Sequence, residues 1–220
     1  QDWSSLASNG DRRAYNWQPD YLFEPNSNDW SAMSDAVYAC NTVIAGLTEM
    51  DDKNHTEYHH VLAQAYCLRG RKLLQGSFIW CAAYDPSTAQ GALGMPLRQG
   101  TNFNARSERA SLAETFEQII SDLKRSIAYL PNNPINVIRP SRPAAYGNLA
   151  RAYLYMGDYL QAKLYADSCL QLRGELVDFN TLNANATLPI PARNVEIIYE
   201  SGMSTSQILN LARMRVDSTL

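Results

Sequence analysis

The sequence predicts a mainly α fold of packed helix pairs, and three observations carry that prediction. Small and large residues between Tyr146 and Gly174 recur at the spacing of two helices in close contact. Apolar positions from Ala36 to Leu130 repeat at three- and four-residue steps, the period of a helix with one buried face. Capping and stop residues punctuate those runs where helices should begin and end. At 220 residues and 45% hydrophobic content, the chain is long enough to bury a substantial core, as one domain or two.

Residues 1–33 are polar and aromatic, with Trp3, Trp17 and Trp30 but no sustained period, and read as an arm over a helical body. The repeat helices follow over 34–174. The first starts at Ser34, with Ala36, Val37, Cys40, Ile44 and Leu47 on one face. Asn41 shares that face and reads as a buried amide bonding nearby backbone. A second helix is expected from Thr56 to Leu74. The connection 76–110 then far exceeds the few residues usual between helices. Phe78, Trp80 and Tyr84 argue against disorder, which is poor in aromatics, so an ordered insertion folded over the helices is expected.

A third helix is predicted from Leu112 to Leu130. Ser111-x-x-Glu114 makes a capping box, in which each side chain satisfies an orphan backbone donor. Phe116, Ile119, Ile120, Leu123, Ile127 and Leu130 form its apolar stripe, and Pro131 stops it. The fourth and fifth helices should span 142–156 and 159–173. Ser141 can cap the fourth, with Pro143 in its first turn, and Asp158 can cap the fifth. Gly174 is expected to supply a left-handed stop. Beyond it, residues 175–220 lose the helical signal, and Val195–Tyr199, preceded by Pro189 and Pro191, reads as a short strand.

The fourth and fifth helices carry Tyr146-x2-Leu149-Ala150-x2-Tyr153, then Gly157-Asp158-Tyr159, then Ala162-x3-Ala166. This is the tetratricopeptide pattern of large, Leu, small and Tyr positions, except that Ala166 replaces an aromatic residue. Ala150 is expected to be nearly fully buried against the fifth helix. His59-x2-Leu62-Ala63-x2-Tyr66 echoes the pattern, so the repeat is internal but irregular.

Several chemistries are disfavoured. A net charge of −3 and a pI near 5.6 argue against nucleic acid, which demands clustered basic surface. No apolar run reaches the length of a membrane span. His55 and His59 are spaced to share a helix face, but they lack a third ligand, so no metal is expected. Nucleophile-elbow, P-loop and GxGxxG patterns are absent, and no pair of carboxylates stands out, so neither catalysis nor a cofactor is expected. Cys40 and Cys169 occupy apolar helical positions and no CxxC occurs. With Cys67 and Cys81 they read as structural thiols, although sequence does not establish whether Cys67 and Cys81 pair. Thirteen Tyr and four Trp suit a wet binding surface.

Taken in order, several segments resemble the SusD/RagB family of outer-membrane nutrient-binding lipoproteins. The segments are Trp30 and Tyr38-x2-Asn41; Ala65-Tyr66-x2-Arg69; Tyr84-Asp85-Pro86-Ser87-Thr88-Ala89; and Leu93-Gly94-Met95-Pro96-Leu97-Arg98. Arg106, Asp122-Leu123, Arg139-Pro140-Ser141-Arg142-Pro143-Ala144-Ala145-Tyr146, and Pro189-Ile190-Pro191 with Asn194-x-Glu196-Ile197-Ile198-Tyr199 complete the set. The resemblance implies a SusD-like helical fold with irregular tetratricopeptide-type pairs, long ordered loops and a short C-terminal strand. It also implies a protein of Bacteroidota-type bacteria, exposed at the cell surface and held on the outer membrane by a lipid anchor absent from this chain. Its partner would be a SusC-like TonB-dependent transporter, and its ligand an oligosaccharide or, in some members, a peptide. Family chains are longer, so residues 1–220 are expected to be one helical domain that is a fragment lacking its C-terminal part.

Two functions follow. One is glycan capture for uptake without hydrolysis, with Trp80 and Tyr84 of the inserted loop on the ligand-facing surface. The alternative is a tetratricopeptide-type scaffold holding a peptide or protein in its concave face. The aromatic insertion favours the first, because a plain repeat scaffold has no need of it.

Overall fold

The computed structural model describes residues 6, 8–22, 28–53, 56–98, 100–102 and 104–202. They belong to two compact units, residues 1–32 with 201–220, and residues 33–200. Trp3, His55 and the last eighteen residues lie outside the described set.

In the first unit, α1 (Asn9–Tyr15) opens on Ser8, whose hydroxyl accepts from the Asp11 amide at 3.3 Å. The chain then turns back, and the Arg13 guanidinium bonds the Asp20 carbonyl at 2.6 Å and pairs with the Asp20 carboxylate. Trp17 and Tyr21 are exposed with φ of 56° and 54°, a left-handed conformation uncommon outside glycine. Helix α2 (Asp29–Thr48), whose residues from Met33 onward belong to the second unit, starts ahead of the expected Ser34 because Asn28 caps it: the Ser31 amide donates to Asn28 Oδ1 at 2.9 Å.

The second unit is a row of helices in chain order. α3 (Thr56–Trp80) packs on α4 (Leu112–Ile127), α4 on α5 (Arg142–Tyr155), and α5 on α6 (Tyr159–Leu172). Between α3 and α4 the chain forms a two-stranded antiparallel hairpin, β1 (Leu93–Pro96) and β2 (Arg109–Ser111), that lies on both helices. Phe116, Ile119 and Leu123 of α4, Leu74 of α3, Met95 of β1 and Leu149 of α5 are buried at the centre. α4 thus supplies the core stripe that its sequence period predicts.

The helix starts follow their capping chemistry. Ser111 Oγ accepts from the Glu114 amide at 3.2 Å, and the Glu114 carboxylate accepts from the Ser111 amide at 2.8 Å. Those bonds to Ser111 hold the Glu114 carboxyl below its ordinary pKa. Ser141 caps α5 through the Ala144 amide at 3.3 Å, and Asp158 caps α6 through the Gln161 amide at 3.1 Å.

Four expectations are corrected. α3 continues past Leu74 to Trp80, because Gly76 serves packing and not termination: a Cβ there would stand 2.7 Å from Met95 Cε. The left-handed stop is Gly157, φ 77°, at the end of α5; Gly174 has no such backbone, and α6 ends at Arg173, whose amide donates to the Cys169 carbonyl at 3.0 Å. Val195–Tyr199 forms a turn and bend instead of a strand. The Ile197 amide closes onto the Asn194 carbonyl at 3.1 Å, and Glu200 makes one backbone bond, to Val137 at 2.9 Å, so the ladder that stabilises a strand is missing.

Ala150 is the fourth. The α5–α6 pair forms as the repeat pattern requires, with Ala162 buried, but Ala150 is only half-buried. Tyr165 of α6 stacks on Tyr153 at 5.6 Å and leans on Tyr146 at 6.1 Å, one turn to either side of Ala150. Rings that large hold the helices apart at this level. Nearer the start of α5 the two helices touch directly, where Cys169 Sγ donates to the Pro143 carbonyl at 3.2 Å. The fully buried alanines of α5 are Ala145 and Ala152.

Candidate ligand-binding surface

Rings from the end of α3, from the segment 81–92 and from α5 converge on Phe116 of α4. Phe116 is fully buried on α4. Tyr84 meets its ring edge-on at 5.1 Å, and Tyr155 stacks on it at 5.6 Å with the planes 6° apart. Phe78 tilts against Tyr155 at 4.7 Å, and the Arg151 guanidinium lies over Phe78 at 5.5 Å. Tyr84, Tyr155 and Phe78 are each half-buried, so this cluster is rooted in the core and reaches solvent. Contacts of this kind add about 0.5–1.5 kcal/mol each beyond the area they bury.

Local turn chemistry fixes the segment that carries Tyr84. Asp85 Oδ1 accepts from the Ser87 amide at 2.8 Å and from its hydroxyl at 2.7 Å, which holds the Asp85 carboxyl below its usual pKa. The Ala89 amide closes a turn on the Asp85 carbonyl at 2.8 Å. The Ala89 and Ala92 carbonyls in turn accept from the first amides of α4, Ala113 at 3.0 Å and Leu112 at 2.8 Å. The segment 81–92 is thus tied to the start of α4, as the aromatic content of the insertion predicts.

Trp80 is the last residue of α3 and not part of the loop. It is half-buried, and its Cζ3 would stand 3.4 Å from a Cβ built on Gly76. Its carbonyl is one of several groups gathered by Arg109. Nε of Arg109 donates to the Gly94 carbonyl at 2.6 Å, and Nη2 donates to the carbonyls of Trp80 at 2.8 Å and Leu93 at 3.1 Å. Trp80 and Tyr84, four residues apart in the chain, pack on different neighbours, Trp80 on the Gly76 side and Tyr84 on Phe116. Tyr155 and Arg109 carry no sequence signal for this place, because their partners are remote in the chain.

On the far side of Arg109 a cleft of about 420 Å³ opens, lined by residues that include Arg98, Asn102, Arg106, Glu108, Arg109 and Glu114. Its wall at Arg98 is tied to the core. Asn41 Nδ2 donates to the Arg98 carbonyl at 2.6 Å, the backbone bond expected of a buried amide. Asn41 Oδ1 accepts from Arg69 Nη1 at 2.8 Å, and Arg69 forks onto Asp122. Gln118 Nε2 donates to the same carboxylate at 2.8 Å.

Cys40, Cys67, Cys81 and Cys169 are free thiols. Burial pushes Cys67 up to about 12, against a bond to Ser126 that lowers it. His59 stacks on Tyr129 at 4.4 Å. Among the described residues no group of three or more His, Cys, Asp and Glu side chains is placed to hold a metal ion, and no helix is long and apolar enough to cross a membrane.

A family profile described as starch-binding and associating with the outer membrane matches residues 1–154. A structure from Bacteroides vulgatus is 25% identical, with a TM-score of 0.61, and the match covers 73% of this chain and 36% of that one. A SusD superfamily protein of Bacteroides thetaiotaomicron is 20% identical, with a TM-score of 0.61 over 69% of this chain and 34% of its own. A laminarin-binding SusD-like protein is 18% identical, with a TM-score of 0.59 over 77% and 35%. The match thus spans about a third of each of these structures. Comparison with curated protein sequences finds no match. With the profile covering more than half of its residues, and the same helical fold in these neighbours, the chain belongs to the SusD-like family.

Proposed function

We propose that this protein captures oligosaccharide at the cell surface for a SusC-like TonB-dependent outer-membrane transporter, with Trp80 and Tyr84 on the ligand-facing surface. It binds its glycan without cleaving it, and a lipid anchor holds the full-length protein to the outer membrane. One observation carries the reading: the half-exposed aromatic cluster of Tyr84, Tyr155 and Phe78, seated on buried Phe116 in a family described as starch-binding. Aromatic rings with few torsions offer stacking area at low entropic cost, and a sugar ring presents a matching flat face. Fixing the rings on helices and a capped turn spares the ordering that a floppy loop would undergo on binding.

Calorimetry on the full-length protein with soluble oligosaccharides tests this. Trp80→Ala and Tyr84→Ala should each weaken binding about 2- to 13-fold, the equivalent of 0.5–1.5 kcal/mol per aromatic contact. Helical circular dichroism should stay unchanged in both. Undiminished affinity in both variants overturns the site.

A further inference from the structure

We infer that the polar cleft beside Arg109 is a second saccharide subsite, which takes the hydroxyl-bearing continuation of a chain held at Trp80 and Tyr84. This rests on the glycan reading above.

Geometry joins the two places. Arg109 lines the cleft, and its guanidinium reaches the Trp80 carbonyl at 2.8 Å, so one side chain connects the cleft to the end of α3. With bonds to three carbonyls, Arg109 is committed to holding the hairpin on α3. Its role is positioning.

The remaining lining can contact a ligand. Arg98 donates one Nη2 bond, to the Asn102 carbonyl, and among the described residues its Nε and Nη1 make no other. Asn102 Oδ1 accepts from the Asn104 amide at 2.9 Å, leaving the Nδ2 group without a partner among the described residues. Across the cleft, Arg106 Nε pairs with Glu108 Oε1 at 3.1 Å, in an exposed pair that leaves Oε2 as an acceptor. Glu114 is taken up by the capping box. The cleft therefore sets donors at Arg98 and Asn102 with an acceptor at Glu108. Each sugar hydroxyl both donates and accepts, and adjacent hydroxyls suit such a mixed set. The volume, about 420 Å³, lies within the range of small-ligand pockets.

Arg98 is also held in place. The Asn41 amide fixes its carbonyl at 2.6 Å, and Asn41 is anchored by the buried Arg69. The wall of the cleft is preorganised by the core of the helical unit.

Calorimetry on the full-length protein with maltotriose and maltoheptaose, and with laminaritriose and laminarihexaose, decides the question. Wild type should bind the longer member of one series more tightly than the shorter. Arg98→Gln and Glu108→Gln should each lower affinity for the longer sugar about tenfold, as expected for a lost charge-assisted bond. Asn102→Ala should lower it about 2- to 13-fold, as expected for a neutral one. All three should leave affinity for the trisaccharide unchanged. Trp80→Ala should weaken both lengths. Because Arg98→Gln also loses a loop bond, Asn102→Ala and Glu108→Gln serve as variants that leave that bond in place. Should the cleft variants hold wild-type affinity for the longer sugar, or weaken both lengths equally, the second subsite is wrong while the aromatic site stands. If wild type binds neither series, nor xylo- or manno-oligosaccharides, the glycan reading itself fails and takes the subsite with it.

Discussion

Arg69 grips Asp122 through two parallel hydrogen bonds, Nε to Oδ2 at 2.7 Å and Nη2 to Oδ1 at 2.8 Å, and neither side chain is more than 6% exposed. The pair welds α3 to α4, and through Asn41 it also reaches α2 and the cleft wall at Arg98. All three nitrogens of the Arg69 guanidinium and both Asp122 oxygens have a partner, which is the condition for a buried charge to be tolerated.

Removing one member leaves the other charged and buried. Asp122→Ala and Arg69→Ala should each cost about 3–5 kcal/mol in urea denaturation. The double variant Arg69→Met with Asp122→Leu should cost much less than the sum of the two, since both charges leave together. Additive losses would show that the two groups act independently.

Gly94 is the tightest point of the hairpin. A Cβ there would collide with Thr115 Oγ1 and with the Ser111 carbonyl, while Thr115 Oγ1 accepts from the Met95 amide at 2.9 Å. Gly94→Ala must push β1 off the start of α4, and overpacking of this kind costs about 1–3 kcal/mol. A lower melting temperature and faster proteolysis within 81–111 are expected. Wild-type values for both would refute the close approach.

How much of this was legible from sequence depended on how local each signal was. α4 was readable at its start and along its face, because the Ser111–Glu114 box and the apolar stripe coincide within one helix. Asn41 was readable as a buried amide, but its partner was not: Arg69 lies 28 residues away and Asp122 53 beyond Arg69, separations that carry no periodic signal. Gly76 looked like the start of a loop, since glycine marks both chain breaks and close packing, and only Met95 across the gap decides between them. For the same reason Trp80 was placed in the loop when it closes a helix. Trp80 and Tyr84 were legible as aromatics in an ordered insertion, while the part of the cluster contributed by Tyr155 depends on helix packing.

The α5–α6 pair shows the same limit, and it sets a prediction. The small-residue pattern identifies the pair but not which face of α5 lies deeper. Ala152, fully buried, should tolerate leucine worse than half-buried Ala150 does. Ala152→Leu should cost about 1–3 kcal/mol, and Ala150→Leu less, in parallel thermal melts. A reversed order would mean that the repeat seam, not the inner face, is the tighter packing.

Cys67 ties stability to alkaline pH. Burial raises its thiol to about 12, whereas a thiol in the unfolded chain titrates near 8.5. The folded state therefore keeps a proton that the unfolded state releases. This contribution is fully present below about pH 8.5 and is lost progressively as pH rises toward about 12. Other groups titrate over the same range, so the comparison must be with Cys67→Ala. Its urea midpoint should fall less steeply between neutral and alkaline pH than that of wild type, although the variant starts lower because of the small cavity it creates. Native Cys67 should also resist iodoacetamide at neutral pH, since the protonated buried thiol is neither nucleophilic nor accessible. Equal slopes in the two proteins, or rapid alkylation of the folded chain at Cys67, would show that the thiol is not held protonated by the core.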